Sequence, residues 1–378
     1  MSESIHTLVV GAGPAGLATS RELARHGIRH VVLERGDTVG YVWANLYDSL
    51  TLHTGKHMSA LPGMRFSRTA PLFVPRAAFV EYLERYAARF ALPIRTRCDV
   101  TGVERLTGSD ARWRVRASTP TGEMELLCHN VIVATGIVTN PRVPSIAGAE
   151  DFRRGGGQIL HSAQYRRPDG YRGKRILVIG VGNSGGEIAS ELADIATVTV
   201  AVRSGANVVP RAIAGIPIQY LARYIRKLPR RARDAVLRLV GRLVEKRRGP
   251  PVLPPSAHGP LDAIPLIGFH LVDAIRNGHV QVRGAIARLT SAGVLFADGK
   301  TPEEQPFDVV ILATGFSPAL SLLGQSIRVD DKCFALRSDR VASADHDGLY
   351  FVGHNYDATG GLFNIARDSR LVAKRIAH

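Results

Sequence analysis

The stretch Thr7-Leu-Val-Val-Gly-Ala-Gly-Pro-Ala-Gly-Leu-Ala-Thr-Ser20 decides the fold of this chain. An apolar run leads into the glycine loop Gly11–Gly16, helix-patterned sequence follows to about His26, and a second apolar run, Val31–Leu33, ends at Glu34. The first glycine permits a tight turn, the second lets the backbone approach a pyrophosphate, and the third allows close helix–strand packing. A glycine-rich turn without a ligand would not need the two strands and the acid. The pattern therefore predicts a dinucleotide site, with the phosphates at the helix N-terminus and a ribose on Glu34.

A second glycine loop of the same kind, Gly180-Val-Gly-Asn-Ser-Gly185, follows the apolar run Ile176–Ile179. The next apolar run, Val198–Val202, is followed by Arg203-Ser204 and not by an acid. A carboxylate there would repel a 2′-phosphate, whereas an arginine and a hydroxyl would bind one. The second loop is therefore predicted to hold NADPH in preference to NADH. The alternative for Arg203 is a surface arginine that follows an edge strand.

Each glycine loop is followed later in the chain by an apolar strand that ends in Ala-Thr-Gly, at residues 134–136 and 313–315. A last apolar strand, Gly348–Gly353, and the pair Gly360-Gly361 come after the second of these. We interpret this order as an α/β fold of two Rossmann-like dinucleotide-binding domains, with the NADPH domain inserted in the FAD domain. The predicted boundaries are 1–142 for the first part of the FAD domain, 143–304 for the NADPH domain and 305–378 for the return.

Two further segments have clear periodicity. Arg76–Phe90 is predicted to be a helix, with Phe79, Tyr82, Leu83 and Tyr86 on one face. Residues 94–127 alternate apolar and polar side chains between turn signals, which predicts a small antiparallel insertion in the first domain.

The composition of the chain bears on where in the cell the protein is expected to be. The 378 residues contain no apolar run near the roughly 18 residues that a membrane span requires. The start, Met-Ser-Glu-Ser, does not resemble a signal peptide. Cys98, Cys128 and Cys333 form no CxxC pair and no zinc spacing, so no metal site and no disulfide framework are expected. These observations favour a cytoplasmic protein.

The formal net charge of +16 is concentrated in one segment. Residues 223–248 contain eleven basic and two acidic side chains, a balance of +9, within a predicted helical insertion at about 205–260. Apolar residues recur there at helical spacing, so the segment is predicted to be a basic amphipathic helix. One interpretation is peripheral contact with a membrane or an acidic partner, and the other is a solvated basic face whose apolar stripe packs on the core. Nucleic acid is not an expected partner, since no recognised binding module accompanies the charge.

The sequence resembles class B flavin-dependent monooxygenases over nearly its whole length, in particular bacterial flavin-containing monooxygenase-like proteins and the plant YUCCA enzymes. The matching stretches are Gly11–Gly16 with Glu34-Arg35, Trp43 with Leu50–His53, Lys56, Leu61-Pro62, Gly180–Gly185 with Arg203, Ala313–Phe316 and Gly348–Gly353. None of these motifs identifies a substrate.

The resemblance and the motifs together assign candidate cofactor residues. Those predicted to bind FAD are Gly11, Gly13, Pro14, Ala15, Gly16, Glu34, Arg35, Trp43, His53, Val100, Ala134, Thr135, Gly136, Gly353, Gly361 and Leu362. Those predicted to bind NADPH are Gly180, Gly182, Asn183, Ser184, Gly185, Arg203, Ser204, Ala313, Thr314 and Gly315. His53 is also the candidate catalytic residue, because YUCCA-like sequences have a histidine where animal-type members have an asparagine that contacts the flavin and its oxygen adduct. A structural histidine is the alternative.

The chain departs from the family at the motif Phe-x-Gly-x-x-x-His-x-x-x-aromatic, which lies between the two domains. Gly157, His161 and Tyr165 match this interdomain motif. The phenylalanine position holds Gly155, and Phe152 lies three residues earlier. We expect this change to shift the loop or to loosen the interdomain contact.

The resemblance implies that NADPH reduces FAD, that oxygen then forms a C4a-hydroperoxyflavin, and that one oxygen atom passes to nitrogen, sulfur or a carbonyl-bearing carbon of a small substrate. A flavin disulfide reductase would need a cysteine pair that the sequence lacks. An NADPH oxidase that releases hydrogen peroxide, and a redox-responsive binding flavoprotein that uses the basic helix, remain alternatives. The sequence leaves the substrate and the oligomeric state open.

Overall fold

The computed structural model describes residues 3–108, 110–256, 259, 265–297 and 303–378. The helices are α1 (Pro14–Arg25), α2 (Tyr41–Ala44), α3 (Lys56–Ser59), α4 (Arg76–Arg89), α5 (Ala149–Arg154), α6 (Asn183–Leu192), α7 (Ile218–Ile225), α8 (Arg230–Arg248), α9 (His270–Arg276) and α10 (Gly361–Ala377). The strands are β1 (Glu3–Val10), β2 (His30–Leu33), β3 (Ile94–Arg95), β4 (Asp99–Arg105), β5 (Trp113–Thr119), β6 (Gly122–Val133), β7 (Asn140–Pro141), β8 (Gln158–His161), β9 (Arg175–Ile179), β10 (Thr197–Ala201), β11 (Val208–Val209), β12 (Ala212–Ile213), β13 (Ile216–Pro217), β14 (Leu266–Ile267), β15 (Val280–Arg283), β16 (Ile286–Leu289), β17 (Val294–Phe296), β18 (Glu304–Gln305), β19 (Val309–Leu312), β20 (Phe316–Ser317) and β21 (Leu349–Phe351).

The chain divides into two compact units. The outer unit comprises Met1–Asn140 and Phe316–His378, and the inner unit comprises Pro141–Gly315. Each unit contains one of the two glycine loops.

The main sheet of the outer unit has the strand order β3-β2-β1-β6-β5-β4, and β21 pairs with β6. Strands β1, β2, β3, β6 and β21 run parallel, with Val9 opposite both Val32 and Ile132. Strands β4 and β5 pair in the antiparallel sense, and β5 pairs in the same sense with the first half of β6. The antiparallel insertion predicted from residues 94–127 is therefore confirmed.

The core of the outer unit lies on both faces of this sheet. Val9 joins a cluster formed with helices α1, α4 and α10, whereas its neighbours Leu8 and Val10 join a second cluster on the opposite face. This alternation follows from the two-residue period of a strand, and it explains why β1 has to be apolar at every position from Leu8 to Val10.

Helix α4 packs one face on the core and holds the neighbouring loop. The four side chains predicted to share a face are buried, at no more than 1% exposure. The Tyr82 hydroxyl donates to the Met64 carbonyl at 2.7 Å and accepts the Leu61 N–H at 2.8 Å, and Tyr86 donates to the Pro62 carbonyl at 2.6 Å. Burial raises the pKa of Tyr82 to about 12, so the hydroxyl keeps its proton. Residues 61–64 are thus fixed by two tyrosine hydroxyls.

We expect Tyr82→Phe to lower the free energy of unfolding by about 1–3 kcal/mol, because it leaves a buried amide and a carbonyl without their partner. Chemical denaturation measures this change. Tyr171→Phe is the matched control, since no hydrogen bond of the Tyr171 hydroxyl occurs among the described residues, and its effect should stay within about 0.5 kcal/mol. Equal stabilities of the two variants would contradict the role of Tyr82.

The inner unit is built on a parallel sheet with the strand order β15-β10-β9-β19-β8. Its central strand β9 is buried on both sides, with Ile176, Leu177 and Val178 at 0% exposure. Continuous apolar strands of this kind are typical of parallel sheets with both faces covered.

The basic insertion differs from the sequence prediction in one respect. The prediction of a single helix over 223–248 is wrong, because α7 ends at Ile225 and α8 begins at Arg230, immediately after Pro229. A proline favours the first turn of a helix and cannot lie inside one without breaking it. No residue of α8 is fully buried, and the most covered of its apolar side chains are half-buried. The predicted end of the insertion at residue 260 lies outside the described residues.

Candidate functional site

In the glycine loop of the outer unit, two glycines are tightly packed and the third has open space beside it. Gly11 has φ +101°, and a Cβ there would lie 2.8 Å from the Ala134 carbonyl oxygen. A Cβ on Gly16 would lie 1.8 Å from the Gly11 carbonyl oxygen, whereas a Cβ on Gly13 would meet nothing within 4 Å. Two glycines are thus required by close packing, and the third leaves bare backbone at the N-terminus of α1. A pyrophosphate fits this cradle.

The glycine loop of the inner unit repeats this geometry. Gly180 has φ +97°, with its Cβ position 2.6 Å from the Ala313 carbonyl oxygen. A Cβ on Gly185 would lie 2.1 Å from the Gly180 carbonyl oxygen, and one on Gly182 would meet nothing within 4 Å. The two loops therefore present the same anion cradle, at the N-termini of α1 and α6.

The side chain of Glu34 is held in place by two backbone N–H groups. Its side chain is buried at the end of β2, and its two oxygens accept the N–H groups of Ala12 at 2.7 Å and Gly36 at 2.9 Å. A carboxylate offers about four acceptor positions, so two remain for hydroxyl groups. Arg35 is exposed beside it.

Arg203 occupies the corresponding place after β10 in the inner unit. Both Arg203 and Ser204 are exposed, and Arg203 has no hydrogen bond or ion pair with any described residue. A guanidinium with no protein partner is able to form charged hydrogen bonds with a phosphate group. The side chains that follow β2 and β10 thus carry charges of opposite sign, whereas the two glycine loops have the same geometry.

The carboxyl ends of adjacent strands converge on the outer cradle. Gly353, which has φ +86° and follows β21, would place a Cβ 3.0 Å from Cβ of Ala15 in the first turn of α1. Thr135 and Gly136 follow β6, where the Thr135 hydroxyl donates to the Ala319 carbonyl at 3.1 Å. Pro14 is the first residue of α1. Most of the predicted FAD residues therefore lie at one edge of the sheet.

Thr54, the neighbour of His53 in the chain, lies close to the N-terminus of α10. A Cβ on Gly360, which precedes α10 and has φ +97°, would lie 2.6 Å from the Thr54 hydroxyl oxygen. The first turn of α10 contains Gly361 and Leu362, and the amide groups of such a turn stabilise negative charge. Thr54, which follows His53, thus lies against the residue that precedes Gly361 and Leu362, and the role of His53 stays a prediction.

Two of the predicted FAD residues, Trp43 and Val100, pack against other side chains of the outer unit. Trp43 is half-buried in α2 and meets the ring of Phe79 edge-on, with centroids 4.7 Å apart. The side chain of Val100 is buried in the core cluster of the face that does not carry α1. Contact of either residue with a cofactor stays a prediction.

The altered interdomain motif has a packing explanation. The ring of Phe152 lies over Gly157, where a Cβ would come within 2.2 Å of the ring. A Cβ on Gly155 would lie 2.0 Å from the Ser291 carbonyl oxygen, so no phenylalanine fits at that position. Phe152, at 1% exposure, thus packs on the motif glycine from one turn earlier.

His161 and Arg142 both hydrogen-bond to Gly315, the last residue of the inner unit. Nδ1 of His161 accepts the Ala163 N–H at 3.1 Å, so Nε2 carries the proton and donates to the Gly315 carbonyl at 3.1 Å. Burial lowers the pKa of His161 and favours this neutral form. Arg142 N–H also donates to the Gly315 carbonyl at 3.0 Å, and the Thr314 hydroxyl donates to the Arg142 carbonyl.

Several contacts of predicted site residues were not evident from the sequence. The Tyr165 hydroxyl donates to Glu191 at 2.9 Å, and burial together with this contact raises the pKa of Tyr165. The Asn183 side-chain oxygen accepts the Ile267 N–H at 2.8 Å, which joins the first turn of α6 to β14. Ser184 follows Asn183 in that turn. No local pattern marks such partners, because they lie far apart along the chain.

Comparison with known proteins decides the family. The family described as "Flavin-binding monooxygenase-like" matches residues 5–338. The chain belongs to the flavin-binding monooxygenase-like family. It is 34% identical over 318 residues to indole-3-pyruvate monooxygenase YUCCA1 of Oryza sativa, covering 82% of this chain and 76% of that protein. It is 34% identical over 380 residues to indole-3-pyruvate monooxygenase YUCCA6 of Arabidopsis thaliana, covering 98% and 89%.

The fold agrees with solved flavin monooxygenases. A doubly substituted flavin monooxygenase from Stenotrophomonas maltophilia superposes with a TM-score of 0.75 at 25% identity, covering 99% of this chain and 98% of that chain. The sequence-based assignment to this family is confirmed, and the chain is an enzyme of the flavin monooxygenase class. Within the described part of this flavin monooxygenase, no helix is both long and apolar enough to cross a membrane.

Proposed function

We propose that this flavin monooxygenase uses FAD and NADPH to transfer one oxygen atom of O2 to a small organic substrate. The observation that carries the proposal is the contrast between two equal glycine cradles. One has the fixed carboxylate of Glu34 at its ribose end, and the other has the unpaired guanidinium of Arg203. Two different dinucleotides are the simplest occupants.

The outer unit suits FAD. The bare backbone at Gly13 would accommodate the pyrophosphate, Glu34 would accept the ribose hydroxyls, and the N-terminus of α10 would stabilise negative charge near His53. When bound, the flavin supplies the hydride and oxygen chemistry, and the protein supplies binding and orientation. No cysteine or metal is needed for this role.

The inner unit suits NADPH. The bare backbone at Gly182 would accommodate its pyrophosphate, and Arg203 with Ser204 would bind the 2′-phosphate. The hydroxyl of Thr314 is directed to the Arg142 carbonyl, so Thr314 and Gly315 would act by holding the end of β19 in place.

The relatives support one substrate class. Proteins named indole-3-pyruvate monooxygenase match this chain at 34% identity over most of its length. We therefore propose an aryl-substituted 2-oxo acid, oxidised at its carbonyl-bearing carbon, ahead of amines and thioethers.

Oxygen isotope labelling tests the proposal. The purified holoenzyme is given NADPH and 18O2 with indole-3-pyruvate, phenylpyruvate, methyl phenyl sulfide or N,N-dimethylaniline, and peroxide is measured in parallel. We expect one labelled oxygen atom in the product of a 2-oxo acid, with a matching fall in peroxide per NADPH. If only the sulfide or only the amine gives a labelled product, that compound class is the substrate class and the 2-oxo acid is rejected. Peroxide equal to NADPH consumed with every compound would instead show an oxidase.

We expect Arg203→Ala to reduce the preference for NADPH over NADH about 10- to 100-fold, because one charged hydrogen-bonding partner of a phosphate is worth about 1.5–3 kcal/mol. The ratio of kcat/KM values for the two coenzymes measures the preference. Arg172→Ala removes another exposed arginine of the inner unit and should leave the ratio unchanged. An unchanged ratio in Arg203→Ala would reject the assignment of the 2′-phosphate site.

A further inference from the structure

Helix α8 presents side chains that the fold does not use. Its 19 residues include six leucines and valines, yet none of the 19 is buried. Leu239 and Leu243 are 58% and 52% exposed, and Tyr224 and Leu228, just before the helix, are 66% and 40% exposed. Large apolar side chains grouped in this way on a surface mark a contact with something outside the chain.

The two sides of α8 have different surroundings. Val236, Val240 and Val244 recur at intervals of four residues and are half-buried. Leu239 and Leu243 lie on another side of the helix, and they are exposed. The exposed basic residues beside this leucine pair, on the side away from the three valines, are Arg231, Arg238, Arg242 and Lys246. The exposed surface is thus an apolar leucine ridge with a row of cations along one side, which we call the α8 face.

The charge of the α8 face is not compensated within the structure. Arg233 pairs with Asp234 at 3.6 Å and Arg248 pairs with Asp273 at 2.9 Å, and both contacts lie at other positions of the helix. The four basic side chains of the α8 face have no ion pair or hydrogen bond with any described residue. The surrounding segment 223–248 has eleven basic and two acidic residues. A partner of opposite charge would satisfy these groups.

We propose that the α8 face docks this enzyme onto a bilayer surface that contains anionic lipid. Lipid phosphates match the unpaired guanidinium and ammonium groups, and the boundary between headgroups and acyl chains accepts the exposed leucines beside them. An acidic protein surface would satisfy the charges but would offer no apolar layer to Leu239 and Leu243. Since no described helix is able to span a bilayer, the contact is peripheral.

The C-terminal end of α8 is fixed to the inner unit. Arg248 lies over the ring of Phe269 at 4.7 Å and pairs with Asp273 of α9, and Arg276 of α9 donates to the Pro250 carbonyl at 2.6 Å. A helix anchored in this way presents a constant face. Docking would therefore orient the inner unit and not merely tether it.

Vesicle flotation with the flavin-loaded enzyme tests the proposal. The vesicles are pure phosphatidylcholine or phosphatidylcholine with about 30 mol% phosphatidylglycerol. We expect binding to the anionic vesicles only, and we expect it to weaken at least tenfold when NaCl is raised from about 0.1 M to about 0.5 M. Absence of binding to anionic vesicles at the lower salt concentration would overturn the proposal.

Charge-reversal variants distinguish binding through the α8 face from binding that depends only on the net positive charge of the protein. Each basic residue near an anionic surface strengthens binding about fivefold, so Arg231→Glu with Arg242→Glu should weaken it at least about 25-fold. Arg85→Glu with Lys374→Glu makes the same change of charge at exposed sites of the outer unit and should retain most of the binding. Equal losses in both double variants would reject a specific face.

The leucines distinguish a membrane from a soluble polyanion. Leu239→Ala with Leu243→Ala should weaken vesicle binding several-fold and leave the weak binding of polyglutamate unchanged. If polyglutamate binds as tightly as the vesicles and the leucine variant changes neither, the occupant is an acidic polymer or protein and the membrane proposal fails. Flavin content and NADPH oxidation should stay at wild-type values in all these variants, which separates this outcome from a failure of the proposed redox function.

Discussion

Replacing Gly16 by alanine will strongly destabilise the outer unit, whereas replacing Gly13 by alanine will leave the unit folded and weaken its binding of flavin. A Cβ on Gly16 would lie 1.8 Å from the Gly11 carbonyl oxygen, so α1 would have to separate from β1. We expect a loss of more than about 4 kcal/mol, which is exceptional for one methyl group.

Gly13, unlike Gly16, has room for a Cβ atom. Its backbone is extended, with φ −77° and ψ −174°, and its Cβ position is open. Alanine therefore fits the apoprotein without strain. The added methyl group would point into the space proposed for the pyrophosphate, and FAD affinity should fall at least about 100-fold, or about 2.7 kcal/mol.

Thermal unfolding of the apoprotein and flavin content after gel filtration measure the two effects separately. The inner loop supplies matched controls, since Gly182→Ala should keep flavin and lose NADPH affinity. A Gly13→Ala protein with full flavin content would show that the pyrophosphate lies elsewhere. A Gly16→Ala protein with wild-type stability would refute the packing argument.

Acid will destabilise this enzyme through His354. The side chain is 3% exposed, lies between the rings of Phe334 and Phe351, and has no hydrogen-bond partner for either ring nitrogen among the described residues. Burial, with a smaller contribution from Arg337, lowers the pKa of His354 from 6.5 to about 3. The folded protein therefore keeps His354 neutral, and the unfolded chain takes up a proton as the pH falls below 6.5.

Because the unfolded state binds the extra proton, stability is lost as the pH falls from 6.5 towards 3, by about 1.4 kcal/mol per pH unit. Between pH 7 and pH 5, His354 alone should cost about 2 kcal/mol. His354→Phe and His354→Leu remove the titrating group from an apolar site. We expect both variants to be at least as stable as the wild type at pH 7, with a smaller loss at pH 5.

Denaturant unfolding at pH 7, 6 and 5 gives the comparison. His279→Gln changes an exposed histidine and should follow the wild-type profile. If both His354 variants lose as much stability as the wild type between pH 7 and pH 5, another group accounts for the acid sensitivity. The use of two replacements guards against a misfit of the phenylalanine ring.

The parts of the fold that are encoded by neighbouring residues could be predicted from the sequence. Each glycine loop lies between an apolar strand and an amphipathic helix, and the residue that distinguishes the two loops, Glu34 or Arg203, follows within about 20 positions. The buried face of α4 and the antiparallel strands of residues 94–127 were also evident, because helical and strand periods are visible in short windows.

Features that depend on distant partners could not be predicted. Gly155 excludes a phenylalanine because of the Ser291 carbonyl, and the loop at Leu61 is fixed by Tyr82. Neither partner is marked by spacing. The exposure of Leu239 and Leu243 likewise depends on what the rest of the inner unit covers. By contrast, Pro229 was a visible signal for the break between the two basic helices.

The hydrogen bonds of Arg142 with Gly315 and Thr314 have a consequence for how such a protein could arise. They place the entry and exit of the inner unit side by side. In the outer unit, the Asn140 side chain likewise donates to the Ser317 hydroxyl at 3.1 Å. A guest whose two ends meet can enter a loop of its host without redirecting the host chain. Pro141–Gly315 therefore has the form of a cassette that gene fusion could insert, exchange or remove as one piece.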